Sequence, residues 1–197
     1  MNTKMHKLIP LAGAMAALLL LSACATHIKS NIQTNPPPAE PLMNFTAYEM
    51  QPATLAPAFA TQGPNQKALV KIQENLSAGM NPTLANWNAA GAAKGGAKRT
   101  LLIVPLVKEI KFVGGASRFW VGAMAGSSAV ILDVTITEKE TGKVIATPEF
   151  YDVGKAMSGG WSMGTTDNLM LVNIANRVTE YLIKNYSTAV GGPSGAP

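Results

Sequence analysis

Hydrophobic positions along this chain follow several distinct patterns, and each pattern predicts an element. Residues 8–23, LIPLAGAMAALLLLSA, hold no charge at all. Between Asn65 and Met80, the positions Leu69, Ile72 and Leu76 recur at three- and four-residue spacing, which predicts a helix ended by Gly79 and Pro82. Thr100 to Val113 opens with the continuous apolar run LLIVPLV, as a strand buried on both faces would. Pro105 lacks a backbone donor and so belongs at an edge, a bend or a bulge. Val130, Leu132, Val134 and Ile136 alternate with Asp133, Thr135 and Thr137, the pattern of a strand with one wet face. Glu140-Thr141-Gly142-Lys143 then reads as a turn, and Lys143 to Tyr151 as the returning strand of a hairpin. From about Thr166 to Tyr186, an apolar stripe of Leu169, Val172, Ala175, Val178 and Leu182 predicts a final helix capped by Thr166 or Asp167.

The intervening stretches are harder to place. Leu42 to Met50 suggests a first strand carrying Phe45 and Tyr48, followed by a Pro- and Ala-rich linker to residue 63. Residues 83–99 contain Trp87 and the run AAGAAKGGAKR, which reads as a mobile loop, and 154–164 is again Gly-rich. Pro36, Pro37 and Pro38 favour extended polyproline II, so residues 24–41 are expected to form a semi-rigid tether. The tail, 188–197, contains GGPSGAP and is expected to be disordered. This order predicts an α+β (mixed α/β) class. A small, largely antiparallel sheet of three to five strands carries two main helices on one face, in one domain over 42–187.

Charge and motif add a location. Lys4 and Lys7 precede the apolar run without an acid, and the run ends in small residues; these are the three parts of a secretory signal peptide over residues 1–23. The run is also shorter than the ~20 residues a comfortable membrane-crossing helix requires. Leu21-Ser22-Ala23-Cys24 resembles the bacterial lipobox. That resemblance implies a diacylglycerol on the Cys24 sulfur, cleavage before it, and acylation (palmitate) of the new amine. More than one buried acyl chain makes such anchoring stable. Ala25 stands where inner-membrane retention commonly uses Asp, so the resemblance implies the outer membrane with the domain facing the periplasm. Cys24 is the only cysteine, which excludes an intramolecular disulfide and a cysteine metal cluster. Removing residues 1–23 lowers the net charge from +5 to +3, and Lys94, Lys98 and Arg99 form the one basic cluster. A nucleic-acid partner is not expected from so mild a balance.

The stretch Ile110 to Gly142 resembles a family of bacterial lipoproteins known as domain-of-unknown-function family 4410. The residues that carry this are Arg118, the Gly-rich segment with Gly122 and Gly126, the following strand, and the acidic turn closed by Thr141-Gly142. Glu138 and Glu140 stand where the family often has Asp. The resemblance implies a small α/β domain, broadly like the periplasmic domains of curli-secretion-channel lipoproteins and the amino-terminal domain of TolB. It implies no activity.

Catalytic groups are scarce. His6 leaves with the signal peptide and His27 sits in the tether, so histidine acid–base chemistry and a Ser-His-Asp triad have no member in the folded region. No metal ligand set, cofactor motif or catalytic residue is assigned. Glu138 with Glu140, or Glu149 with Asp152, would be the carboxylate pairs for glycoside hydrolysis, but acids in and beside turns are ordinarily solvated surface groups. Segment 114–127 allows two readings. Arg118, Phe119, Trp120, Gly122 and Gly126 form a loop that meets a protein partner or the bilayer, or the small residues simply let strands pack closely over buried rings; the second is preferred. Trp87 and Trp161 are taken as local packing anchors. The expectation is a lipid-anchored, non-enzymatic interaction or assembly module, binding an envelope protein or itself. The alternative is a small-molecule or glycan binder in which Trp87, Trp120 or Trp161 stacks on a ligand.

Overall fold

The computed structural model describes residues 28–113, 127–154 and 165–197. In chain order these form β1 (Thr34–Asn35), a 3-10 turn (Leu42–Asn44), β2 (Ala47–Met50), β3 (Thr54–Leu55), a second 3-10 turn (Pro57–Phe59) and α1 (Gly63–Lys94). There follow β4 (Thr100–Lys111), β5 (Ser128–Glu138), β6 (Val144–Ala146), β7 (Glu149–Gly154), α2 (Thr165–Lys184) and β8 (Gly192–Pro193). The class is α+β. β4 and β5 pair antiparallel at the centre of a mixed sheet. On the outer side of β4 lie β2 and then β3, both parallel to it. On the outer side of β5 lie β6 and then β7, both antiparallel to it.

One face of this sheet carries the core. Leu101, Ile103, Val107 and Ile110 of β4, Val130, Leu132, Val134 and Ile136 of β5, and Phe150 of β7 pack against α1 and α2. The bulge between Val107 and Glu109 explains how Ile110, three positions after Val107, also faces inward. β4 is not buried on both faces as its apolar run suggested, because Leu102, Val104 and Leu106 on the other face are only half-buried. Pro105 stands where its missing donor costs nothing. Ile103 and Val107 accept from Gln51 and Ala56 on the parallel side, so Pro105 turns to that side too, in the gap between β2 and β3.

The hairpin is as expected, with Gly142 at φ 72° in its turn and β6 and β7 as its return. The first strand is shorter than expected, since Leu42–Asn44 makes a 3-10 turn before β2 begins.

α1 differs most from its sequence pattern. It runs 32 residues, straight through Gly79 and Pro82, and takes in most of the expected loop. Its buried positions, Asn65, Ala68, Ile72, Leu76, Met80, Leu84, Trp87 and Gly91, form one unbroken stripe. Pro82 and Ala78 are both exposed, so the carbonyl that loses its partner at Pro82 is open to water. Burying Leu84 and Trp87 beyond it outweighs the ~3 kcal/mol that an interior proline costs. Gly79 is a contact point rather than a stop: a Cβ there would lie 2.9 Å from Thr179 Oγ1, so its absence lets α1 and α2 cross closely. Gly91 does the same against the backbone of Thr46, 2.3 Å from where a Cβ would sit. In α2, Thr166 and Asp167 lie inside the first turn instead of capping it.

Both ends of the described chain are also built in. Ile28, Asn35 and Pro38 are buried, so most of the expected tether packs on the domain. The expected disordered tail forms β8, which pairs with β1, and Ser194 is fully buried. The physical reason is edge satisfaction. Asn35 exchanges two hydrogen bonds with the backbone of Glu149, Ala39 N donates to Ile145 O, and Tyr151 N donates to Ser194 O. These close the β6–β7 edge. Across the sheet, Asn88 of α1 brackets Tyr48 of β2 in the same way, and Gln73 accepts from Ala53 N.

Candidate functional site

Every carboxylate proposed above for catalysis has a structural partner. Glu138 is buried and accepts from Arg99 Nε at 2.5 Å and from Thr141 Oγ1 at 2.8 Å. Its neighbour Glu140 instead accepts from the backbone N of Thr100 at 2.7 Å. Glu149 and Asp152, three apart on β7, point to opposite faces of the sheet and cannot share a cleft. Glu149 accepts from Lys108 Nζ at 2.9 Å and Ser30 Oγ at 2.6 Å, whereas Asp152 meets Arg177 at 3.1 Å and Asn173 at 3.2 Å on the helix side. Glu138, Glu149 and Asp152 are thus buried and partnered, not the solvated surface acids that their place near turns suggested. Burial acts to raise the Glu149 pKa, but the Lys108 and Ser30 donors hold it below its ordinary value. Asp133 nearby is pushed up by burial despite Lys108 at 3.4 Å. Among the described residues no group of three or more His, Cys, Asp or Glu side chains could hold a metal ion.

The basic cluster also resolves into structure. Arg99 bridges Glu40 and Glu138 and lies 4.5 Å over the Phe45 ring, and Lys94 donates to Met43 O. The Arg99 guanidinium, with help from Asn44 and Lys143, outweighs burial and holds the Glu40 carboxyl down at about 2. Because the folded value lies below the ordinary 4.5, this pairing stabilises the fold above pH 4.5 and loses its effect as pH falls toward 2. Arg99→Met is therefore expected to lower Tm at neutral pH and to flatten the Tm decline between pH 4.5 and 2.5. A thermal-melt series over that range reads it, and an unchanged acid slope would contradict the assignment.

A groove opens at the other end of the helices. The first turns of α1 and α2 and the end of β4 leave an opening of about 540 Å³ lined by the apolar Ala68, Val70, Phe112 and Leu171 and by the charged Lys67, Lys71, Glu74 and Asp167. Ala68 and Leu171 are buried at its base, whereas Val70 is 56% exposed and Leu169, on the adjoining turn of α2, 51%. Sequence reading missed this site because its walls come from three elements; the exposed Val70, off the buried stripe of α1, was the one local sign. Trp87 takes no part in it. Its ring stacks on Tyr186 at 4.3 Å and meets Tyr48 at 5.2 Å, deep in the core, as a packing anchor. Tyr48 donates its hydroxyl to the carbonyls of Leu42 and Phe45, and burial raises its pKa.

Cys24 with Leu21, Ser22 and Ala23, the loop residues Arg118, Phe119, Trp120, Gly122 and Gly126, and Trp161 all lie outside the described residues. Among those described, no helix is long and apolar enough to cross a membrane.

No protein-family model matches the chain, and no curated protein matches it by sequence. Solved structures do resemble it in backbone. A PelC dodecamer from Paraburkholderia phytofirmans shares 15% identity over 74% of this chain and 96% of that one, with a TM-score of 0.38. A protein of Xanthomonas campestris from domain-of-unknown-function family 330 shares 11% identity over 80% and 95%, with a TM-score of 0.43. A minor lipoprotein from Acinetobacter baumannii shares 9% identity over 72% and 95%, at 0.31.

Proposed function

We propose that this is a lipid-anchored cell-envelope protein whose domain works as a non-enzymatic protein-interaction or assembly module. The anchor reading rests on Leu21-Ser22-Ala23-Cys24 at the end of the uncharged run, and the kinship with family 4410 rests on Ile110 to Gly142. By the same motif, the outer membrane and its periplasmic face are the proposed location. The observation that carries the module reading is the apolar groove between α1 and α2. Ala68, Val70, Phe112 and Leu171 give it an apolar floor and walls among the charged side chains Lys67, Lys71, Glu74 and Asp167, and Val70 is exposed. Such a surface accepts apolar side chains from a partner, either another envelope protein or a second copy of this chain. The sheet edges offer less, since α1 side chains line β2 and the chain ends cover β6 and β7.

A photo-crosslinking residue at Val70 is expected to trap a discrete adduct in intact envelopes, while the same residue at the exposed Val144, in the hairpin, traps none. No adduct at Val70 above the Val144 background would overturn the module reading. Cys24→Ala tests the anchor separately: unprocessed precursor should accumulate and metabolic acyl labelling should vanish. The groove's volume also suits a small ligand, since such sites run roughly 300–1,000 Å³. That second reading predicts a thermal shift on adding a ligand, abolished by Val70→Glu.

A further inference from the structure

The residues read as a spacer between lipid and domain are clamped onto the domain, and the clamp is the tail of the same chain. Asn185, fully buried just past α2, donates to Gly191 O at 3.2 Å and accepts from the backbone N of Val190 and of Gly191, each at 2.8 Å. That fixes the start of the tail. Beyond it, Gly192 and Pro193 pair with Asn35 and Thr34, Ser194 N donates to Gln33 O at 3.0 Å, and Gln33 Nε2 donates to Pro197 O at 2.9 Å. The Ser194 hydroxyl bonds to Ile32 O. Tyr181, whose phenol is pushed up to about 12 by burial, donates to Pro36 O at 2.9 Å. At its start the clamped segment joins a small apolar cluster on the face of the sheet turned away from α1 and α2. There Ile28 packs with Ala129, Ile131 and Tyr151, flanked by Val153 and Ala196.

Ile28 stands four positions after Cys24. Whatever their conformation, four residue steps reach no more than about 14 Å. We propose that the tail holds the folded body directly against the phospholipid surface, so that the corner around Ile28 rests at the headgroups instead of riding on a long spacer. This rests on Cys24 being acylated, as proposed above. The same placement brings the groove to the membrane. Lys111, the last residue of β4, pairs with Ala129, on which Ile28 packs, and Phe112 of the groove wall comes next in sequence. Anchor corner and groove therefore occupy opposite faces of one end of the sheet, and a partner entering the groove would do so beside the bilayer.

The test uses the acylated full-length chain in vesicles of phosphatidylethanolamine and phosphatidylglycerol that carry a headgroup acceptor dye. Because Cys24 would be blocked by its lipid, Ser127→Cys supplies the only free thiol; Ser127 is exposed beside the start of β5. A donor dye there is expected to transfer energy efficiently. Two changes should lower that transfer at least threefold: deletion of residues 191–197, and insertion of twelve Gly/Ser residues between Thr26 and His27 with the tail intact. The insertion leaves the described fold untouched, so it decides the matter if the deletion unfolds the protein. Weak transfer in the parent, or no change on insertion, would overturn the inference. Mass spectrometry of the same samples separates the two failures: an acylated chain with a distant Ser127 refutes only the clamp, whereas an unmodified Cys24 refutes the anchor itself.

Discussion

Trp87→Ala is expected to lower folding stability by about 4 kcal/mol, the loss that follows when a large buried ring is removed and its cavity only partly collapses. Trp87 is 8% exposed and sits where α1, β2 and the chain after α2 meet. Two consequences follow from its place beyond Pro82. Beyond the proline the helix is held by its buried stripe, by Asn88 on Tyr48 and by Lys94 on Met43 O, and the ring is the largest part of that stripe, so amide exchange should quicken over residues 83–94 more than over 65–80. The urea midpoint should fall with little change in slope, as for a loss of packing in a still cooperative fold. A cost below 1 kcal/mol, or uniform exchange along α1, would show that the ring does not pin this half of the helix.

Arg177→Met is expected to cost about 3 kcal/mol, because it strands the Asp152 carboxylate in a buried site with Asn173 as its remaining side-chain donor. The cost arises from the orphaned charge more than from the lost attraction. Asp152→Asn in the Arg177→Met background should therefore recover at least half of it, with the amide able to donate as well as accept. Denaturant unfolding of the two single variants and the double variant measures the coupling. A neutral Arg177→Met would mean that water already serves Asp152. Equal and additive losses would mean that the two side chains do not act as a pair.

How much was legible depended on how local the cause was. The hairpin could be read because alternation, turn chemistry and pairing all lie within residues 128–154. The end of α1 could not. Gly79 and Pro82 are stop signals when only neighbours along the chain are considered, yet Gly79 is where α2 crosses and Pro82 points to water. The acids near turns looked solvated for a similar reason: Arg99, Lys108 and Arg177, which partner them, are 25 to 41 residues away. The tail GGPSGAP looked structureless because no side chain in it drives packing. It is held instead through its backbone, by Asn185 and residues 33–35, and through the Ser194 hydroxyl on Ile32 O at the far end of the chain.

Sequence alone determined the α+β class, the central hairpin, the position of the final helix and the apolar segment leading to Cys24, since each follows from the spacing or composition of consecutive residues. Tertiary structure alone decided that α1 continues to Lys94, that the carboxylates are paired, that the chain ends close a sheet edge, and that an apolar groove opens between the helices. Those outcomes turn on surfaces and donors brought together from distant parts of the chain, and burial against them outweighs the local preferences of proline, glycine and exposed charge.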